Sequence, residues 1–117
     1  MSTSDDVRAF NDRFSAALAA QDVEAAVDAY TADARILLPG LPPVRGRDAI
    51  SALFRTSLAE GPSRISFSTD ALWDCGDIAI DVGTYVSDGE TGKYVVVHER
   101  QPNGSLKMAV DAPSRGA

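Results

Sequence analysis

The sequence predicts an α+β fold, three N-terminal helices packed on a curled, mostly antiparallel sheet, and three observations predict it. Apolar residues recur at helical spacing in three separate segments before residue 60 and in none after it. From Arg64 onward the chain is rich in Ile, Val, Phe, Tyr and Thr, side chains that suit a pleated, half-buried surface. The joints of that second half read "CGD", "DGETG" and "PNG", which is the turn chemistry of consecutive hairpins.

In the first helix Val7, Phe10, Phe14, Ala17 and Leu18 share a face, and Ser4 before two aspartates offers an N-cap with acidic residues in the positive first turn. Asp22 caps a second helix with Val23, Ala26, Val27 and Tyr30 on one face. That helix is expected to end near Asp33, after which "ARILLP" crosses as a short strand and "GLPPVRG" turns the chain into helix three. The third helix is expected over residues 48–60, with Ile50, Leu53, Phe54 and Leu58 inward and Gly61-Pro62 as its stop. Strands follow at residues 64–74, 77–87, 93–101 and 105–112. The first three are each about 30 Å long at ~3.3 Å per residue. Strands of that length twist and curl, so a sheet with helices on one side encloses a concave space. Runs such as "VVV" at 95–97 put apolar groups on both faces. The convex face then needs a cover, and a second copy of the chain, forming a homodimer through that face, is the simplest one.

A chain of 117 residues holds one hydrophobic core, so residues 1–117 are read as a single domain. With 44% hydrophobic and 24% charged residues, the composition is that of a folded globular protein rather than a disordered one. A net charge of −6 without a basic cluster argues against nucleic acid as a partner. No apolar run approaches the ~18 residues of a membrane span, and "MSTSDDVRAF" lacks the basic and apolar regions of a signal peptide, so a cytoplasmic location without membrane contact is expected. Cys75, the only cysteine, sits in the turn "WDCGD" away from the only histidine, His98, which argues against a disulfide, a zinc cluster and a Cys–His nucleophile. The dispersed carboxylates show no metal-ligand spacing, and no phosphate loop or dinucleotide fingerprint is present. Neither a metal nor a cofactor is expected.

Four stretches, "DVEAAVDAYTADARILLPG", "PPVRGRDAI", "GDIAIDVGTY" and "GKYVVVHERQPNGSLKMAVD", resemble the cone-shaped nuclear-transport-factor-2-like fold, and they span most of residues 22–111. Within that superfamily the chain is similar to SnoaL-like proteins, in particular the small actinobacterial SgcJ/EcaC-like type associated with polyketide or enediyne assembly. The superfamily includes isomerases, cyclases, dehydratases, epoxide hydrolases and non-catalytic association domains, so the resemblance implies a fold and not a reaction. Steroid delta-isomerases of this architecture carry a carboxylate base, a phenol and a protonated acid. By the resemblance their positions fall on Leu38 before Pro39, on Phe14 after Arg13, and on Val96. All three are apolar, which argues against steroid isomerisation.

If Val96 faces the cone, as the resemblance implies, Tyr94 and His98 share its face. A two-residue turn at Pro102-Asn103 pairs Val96 with Ala109 and Tyr94 with Asp111, whereas a three-residue turn ending at Gly104 sets His98 opposite Met108. SnoaL-like polyketide cyclases place an essential aspartate toward the end of the sheet, and Asp111 in "MAVDAP" fits that role. Desolvation there would raise its pKa and suit proton transfer. The candidate catalytic residues are therefore Asp111, assisted by His98 or Tyr94. The candidate pocket residues are Phe14, Tyr30, Leu38, Phe54, Trp73, Tyr85, Val96 and Ala109. Asp81 interrupts "IAIDVG", and an outward face or an arginine partner would explain it. Arg45 and Arg47 at the start of helix three could hold an anion or simply be solvated. The function expected is cofactor-independent acid/base catalysis on a small hydrophobic or polyketide-like molecule. The alternatives are a ligand-binding module without chemistry and a dimerisation module.

Overall fold

Ser2 and Asp5 start the first helix. In the computed structural model, which describes residues 2–115, α1 (Thr3–Ala19) opens with a capping box: the Asp5 N–H donates to Ser2 Oγ at 3.1 Å and the Ser2 N–H to Asp5 Oδ2 at 3.4 Å. Ser4, expected as the cap, lies inside the helix, because Ser2 has an acid three residues on and Ser4 has Val7 there. In α2 (Val23–Asp28) the Ala25 N–H donates to Asp22 Oδ1, as the cap predicts, but the helix ends earlier than expected and Tyr30 opens a strand. Sheet pairing overrides helical periodicity here: the Met108 N–H donates to the Ala29 carbonyl at 2.8 Å and Tyr30 pairs with Met108.

The chain continues through β1 (Tyr30–Ile36), β2 (Val44–Arg45), α3 (Gly46–Ala59), β3 (Ile65–Asp74), β4 (Ile78–Ser87), β5 (Glu90–Arg100) and β6 (Leu106–Arg115). These strands form one sheet in the order β2-β1-β6-β5-β4-β3, antiparallel throughout except that β1 runs parallel to β6. The β3-to-β6 part is the expected meander. The two-residue β2 was not foreseen.

Two bulges decide which side chains face inward. At the β5–β6 turn, Gln101 and Ser105 close a three-residue loop, with Gly104 at φ +87° supplying the left-handed residue. The register near the turn therefore sets His98 opposite Met108. It then shifts between His98 and Val97, so that Ala109 is the extra residue and Val96 pairs with Asp111, Tyr94 with Pro113. The bulge returns Asp111 to the face of Val96. On β3 a similar shift at Asp70 leaves Phe67 opposite Tyr85 but turns Leu72 inward and Trp73 outward. Trp73, expected in the pocket, is 53% exposed on the convex face.

The core lies between α1, α3 and the concave face. Val7, Phe10, Phe14 and Leu18 of α1 and Ile50 and Leu58 of α3 pack with Tyr94, Val96, Leu106 and Met108, each large side chain contributing about 1.5–3 kcal/mol by leaving water. Among the described residues no helix is long and apolar enough to cross a membrane. The sheet closes tightly at Gly83, opposite Tyr94, where an added Cβ would lie 2.8 Å from the Tyr94 hydroxyl and collide with the Ser68 carbonyl. Gly83→Ala is expected to cost about 1–3 kcal/mol of stability through overpacking, read as a lowered urea midpoint with unchanged slope.

Candidate functional site

Asp111 and Tyr30 meet because β1 lies beside β6. Tyr30 starts β1 opposite Met108, Ile36 ends it opposite Asp111, and the Tyr30 hydroxyl donates to Asp111 Oδ2 at 2.6 Å. Among the described residues this is the only side chain bonded to the carboxylate, so Oδ1 has no protein partner. The Tyr30 backbone is held in turn by Arg47, whose Nη2 donates to the Tyr30 carbonyl at 3.1 Å. That contact accounts for Arg47 without an anion.

The pair lies in the wall of an apolar pocket of about 270 Å³. Phe14 and Leu18 of α1, Leu53 and Phe54 of α3, Ile65 and Phe67 of β3, and Ile36, Leu38, Tyr85 and Pro113 supply the other walls, with Ser57 the remaining polar side chain. Phe14 meets the Tyr30 ring edge to face at 5.9 Å and Phe54 meets it tilted at 5.9 Å, so the phenol is clasped by rings. Tyr85 contributes its ring only, because its hydroxyl donates to the Ser114 carbonyl at 3.2 Å. Past Leu38, Ser57, Tyr85 and Pro113 the pocket adjoins a larger depression of about 1000 Å³ that includes the exposed Leu41.

Burial raises the Asp111 carboxyl above the usual aspartate range, and the Tyr30 hydrogen bond pulls it partly back. The Tyr30 phenol is driven well above its ordinary value, first by burial and then by the Asp111 charge and hydrogen bond. The phenol therefore keeps its proton, and the carboxyl is the member of the pair that titrates. A carboxylate with one oxygen fixed and the other free, in apolar surroundings, can take a proton from a bound molecule and return it.

Of the residues singled out in the sequence, Phe14, Tyr30, Leu38, Phe54 and Tyr85 line this pocket with Asp111, and Tyr94, His98, Val96, Ala109 and Trp73 do not. Tyr94 and His98 do face inward but lie elsewhere on the concave surface. The Tyr94 hydroxyl donates to Asp81 Oδ2 at 3.1 Å, and burial pushes its pKa up to about 12. His98 is 0% exposed beneath the N-terminal half of α1, with Phe10 edge to face at 4.8 Å, and burial lowers its pKa to about 4. Val96 is a core residue between Asp111 and Asp81, and Ala109 occupies the bulge. Neither explanation offered for Asp81 holds, since it is 0% exposed and its carboxylate takes a tyrosine hydroxyl. The signal was in the alternation: Ala79, Asp81 and Gly83 are the buried positions of β4, and two of them are small enough to admit large partners. Phe67 and Ile65 were likewise readable as an alternating face. Among the described residues no group of three or more His, Cys, Asp or Glu side chains is placed to hold a metal ion.

The SnoaL-like domain family matches residues 11–104. The chain belongs to that family. The matched span ends at the β5–β6 turn, so β6 and Asp111 lie outside it. No curated protein matches the sequence. Among solved structures, this SnoaL-like chain is similar to a candidate dehydratase of the NTF2-like family from Streptomyces avermitilis, at TM-score 0.84 and 17% identity over 97% of this chain and 95% of that one. It is also similar to a ketosteroid isomerase-like protein from Erwinia carotovora, at TM-score 0.73 and 18% identity over 93% and 92% of the two chains. An NTF2-like protein from Novosphingobium aromaticivorans matches at TM-score 0.79 and 19% identity, over 96% and 80%. These likenesses establish the nuclear-transport-factor-2-like fold for the SnoaL-like chain.

The pair makes a pH prediction. Folding raises the Asp111 pKa, so the folded state holds that proton more tightly than the unfolded chain. The stability this contributes is complete below the unfolded carboxyl pKa and is lost as pH rises through the folded one. Asp111→Asn is expected to flatten that loss in urea titrations at successive pH values above about 4. Tyr30→Phe removes the one bond that lowers the carboxyl pKa and should move it further up, as read by the pH dependence of the Asp111 carboxyl carbon in NMR spectra.

Proposed function

We propose that this protein is a cofactor-independent enzyme of the bacterial cytoplasm that performs acid/base catalysis on a small hydrophobic or polyketide-like molecule in the cone cavity, with Asp111 moving the proton. The observation that carries this reading is the 2.6 Å hydrogen bond from Tyr30 to an aspartate of raised pKa in the wall of an apolar pocket. The volume of about 270 Å³ is near the lower end of ligand pockets, ~300–1,000 Å³, which suits a compact molecule. Aromatic walls fit its apolar body, and the Asp111 Oδ1 meets its reacting hydrogen. The proton taken at one position is returned at another, so Asp111 ends as it began, and isomerisation, cyclisation and elimination are all within reach of such a group. Tyr30 takes the assisting place expected of His98 or Tyr94: it fixes the carboxylate and keeps its own proton. The bacterial neighbours, among them a candidate dehydratase and an isomerase-like protein, are in keeping with this class of chemistry.

The test is a panel of aromatic polyketides screened by thermal shift and then by turnover. Asp111→Asn should lower turnover of a bound compound by roughly 10²–10⁴-fold while its thermal shift remains. Turnover unchanged in that variant would sink the proposal, and binding without turnover in the wild type would favour the ligand-binding module.

A specific observation also supports dimerisation through the convex face. Trp73, Ile80, Val97 and Val110 form one cross-strand row and Ala71, Val82, Val95 and Ala112 the next, with Trp73 and Val95 among the exposed large apolar residues. An apolar stripe of this kind can pair with the same stripe of a second copy about a two-fold axis, and a second copy is the occupant proposed. Light scattering should give a dimer for the wild type and a monomer for Val95→Glu. A wild-type monomer would refute it.

A further inference from the structure

Beneath α1, on the concave face of β4 and β5, three buried side chains form a polar cluster separate from the pocket. Asp81 and His98 are each 0% exposed and Tyr94 is 3% exposed. Tyr94 satisfies one Asp81 oxygen, while Asp81 Oδ1 and both imidazole nitrogens of His98 have no hydrogen-bond partner among the described residues. Such orphaned polar groups are rare in folded proteins, and each asks for a partner.

The strand register says where the partner sits. Ala79 pairs with His98 and Asp81 pairs with Val96, so Asp81 and His98 are diagonal neighbours on one face, with backbones roughly 7–8 Å apart. Ala79, opposite His98, and Val96, opposite Asp81, flank this diagonal, and the small Ala79 side chain leaves room beside it. A direct bond would satisfy Asp81 Oδ1 and a single imidazole nitrogen, and the two groups make no such bond. A neutral imidazole presents one donor and one acceptor, and a carboxylate only acceptors. The bridging group must therefore donate to Asp81 and either accept from or donate to one imidazole nitrogen, which a water can do in either sense. It must also be very small, because the Phe10 ring covers His98 and every member of the cluster is buried. One Asp and one His do not make a cation site, and among the described residues no third ligand joins them.

We propose that this cluster is an internal water-binding site, in which a bound water donates to Asp81 Oδ1 and bridges to the His98 imidazole, with the Tyr94 hydroxyl completing the network on Oδ2. Internal waters of this kind make about three hydrogen bonds and behave as part of the structure. The water fixes one tautomer of His98, and the cluster anchors β4 to β5 under α1. It stands independently of the chemistry assigned to Asp111.

The chain has one histidine, so its imidazole signals in nitrogen-15 NMR need no assignment. With histidine-labelled intact protein, the expected result is a single tautomer whose ring protons show a cross-peak to a long-lived water, lost in Asp81→Leu. A crystal structure at high resolution should place that water within ~2.7–3.2 Å of both Asp81 Oδ1 and a His98 nitrogen. A wild-type imidazole with no long-lived water contact would overturn the proposal, as would density showing Asp81 bonded directly to His98. Both wild-type measurements decide the matter even if Asp81→Leu does not fold.

Discussion

The parallel pairing of β1 with β6 is the constraint on which the other features depend. It ends α2 at Asp28, because Ala29 and Tyr30 are already committed to Met108. It covers what would otherwise be the open edge of the meander, and it carries the Leu37 N–H to the Asp111 carbonyl at 2.8 Å. The same pairing brings a tyrosine from the chain's first half onto an aspartate near its C-terminus. Antiparallel hairpins could form without it, but the Tyr30–Asp111 pair could not.

Two tyrosine–aspartate pairs result, and their surroundings differ. Asp111, Val96 and Asp81 lie in one cross-strand row, so the two carboxylates flank a single valine. Asp111 shares its hydrogen bond with Tyr30 in the wall of a pocket that opens to solvent; Asp81 shares its own with Tyr94 in a closed interior beside His98. The same chemical pair is suited to proton exchange with a visiting molecule in the first place and to structural hydration in the second. Access, rather than residue type, separates them.

The positions that serve steroid isomerases remain informative. Leu38 and Phe14 line the pocket, and Val96 is the core residue beside Asp111. The cavity thus keeps the walls that the resemblance implies, while the acid in its wall, Asp111, stands on β6, one strand from Val96.

By itself the sequence determined the elements and the fold: helical and alternating periodicities, the Asp22 cap, the Gly61-Pro62 stop and the Gly104 turn are local signals, and local signals are written in neighbouring residues. It also named Phe14, Tyr30, Leu38, Phe54 and Tyr85 as pocket residues, and it offered Asp111 as an inward carboxylate in one of two possible registers of the last hairpin. What only the tertiary structure decided was parity and partnership. A bulge at Ala109 and another at Asp70 each insert one residue, and one residue exchanges the two faces of a strand; neither bulge has a proline or glycine to announce it. Trp73 turned outward for that reason. Tyr30 left its helix for a strand, and Asp81, which an outward face or an arginine partner would have explained, is held inside by a hydrogen bond with Tyr94, because pairing between segments distant in sequence outweighed what their neighbours preferred.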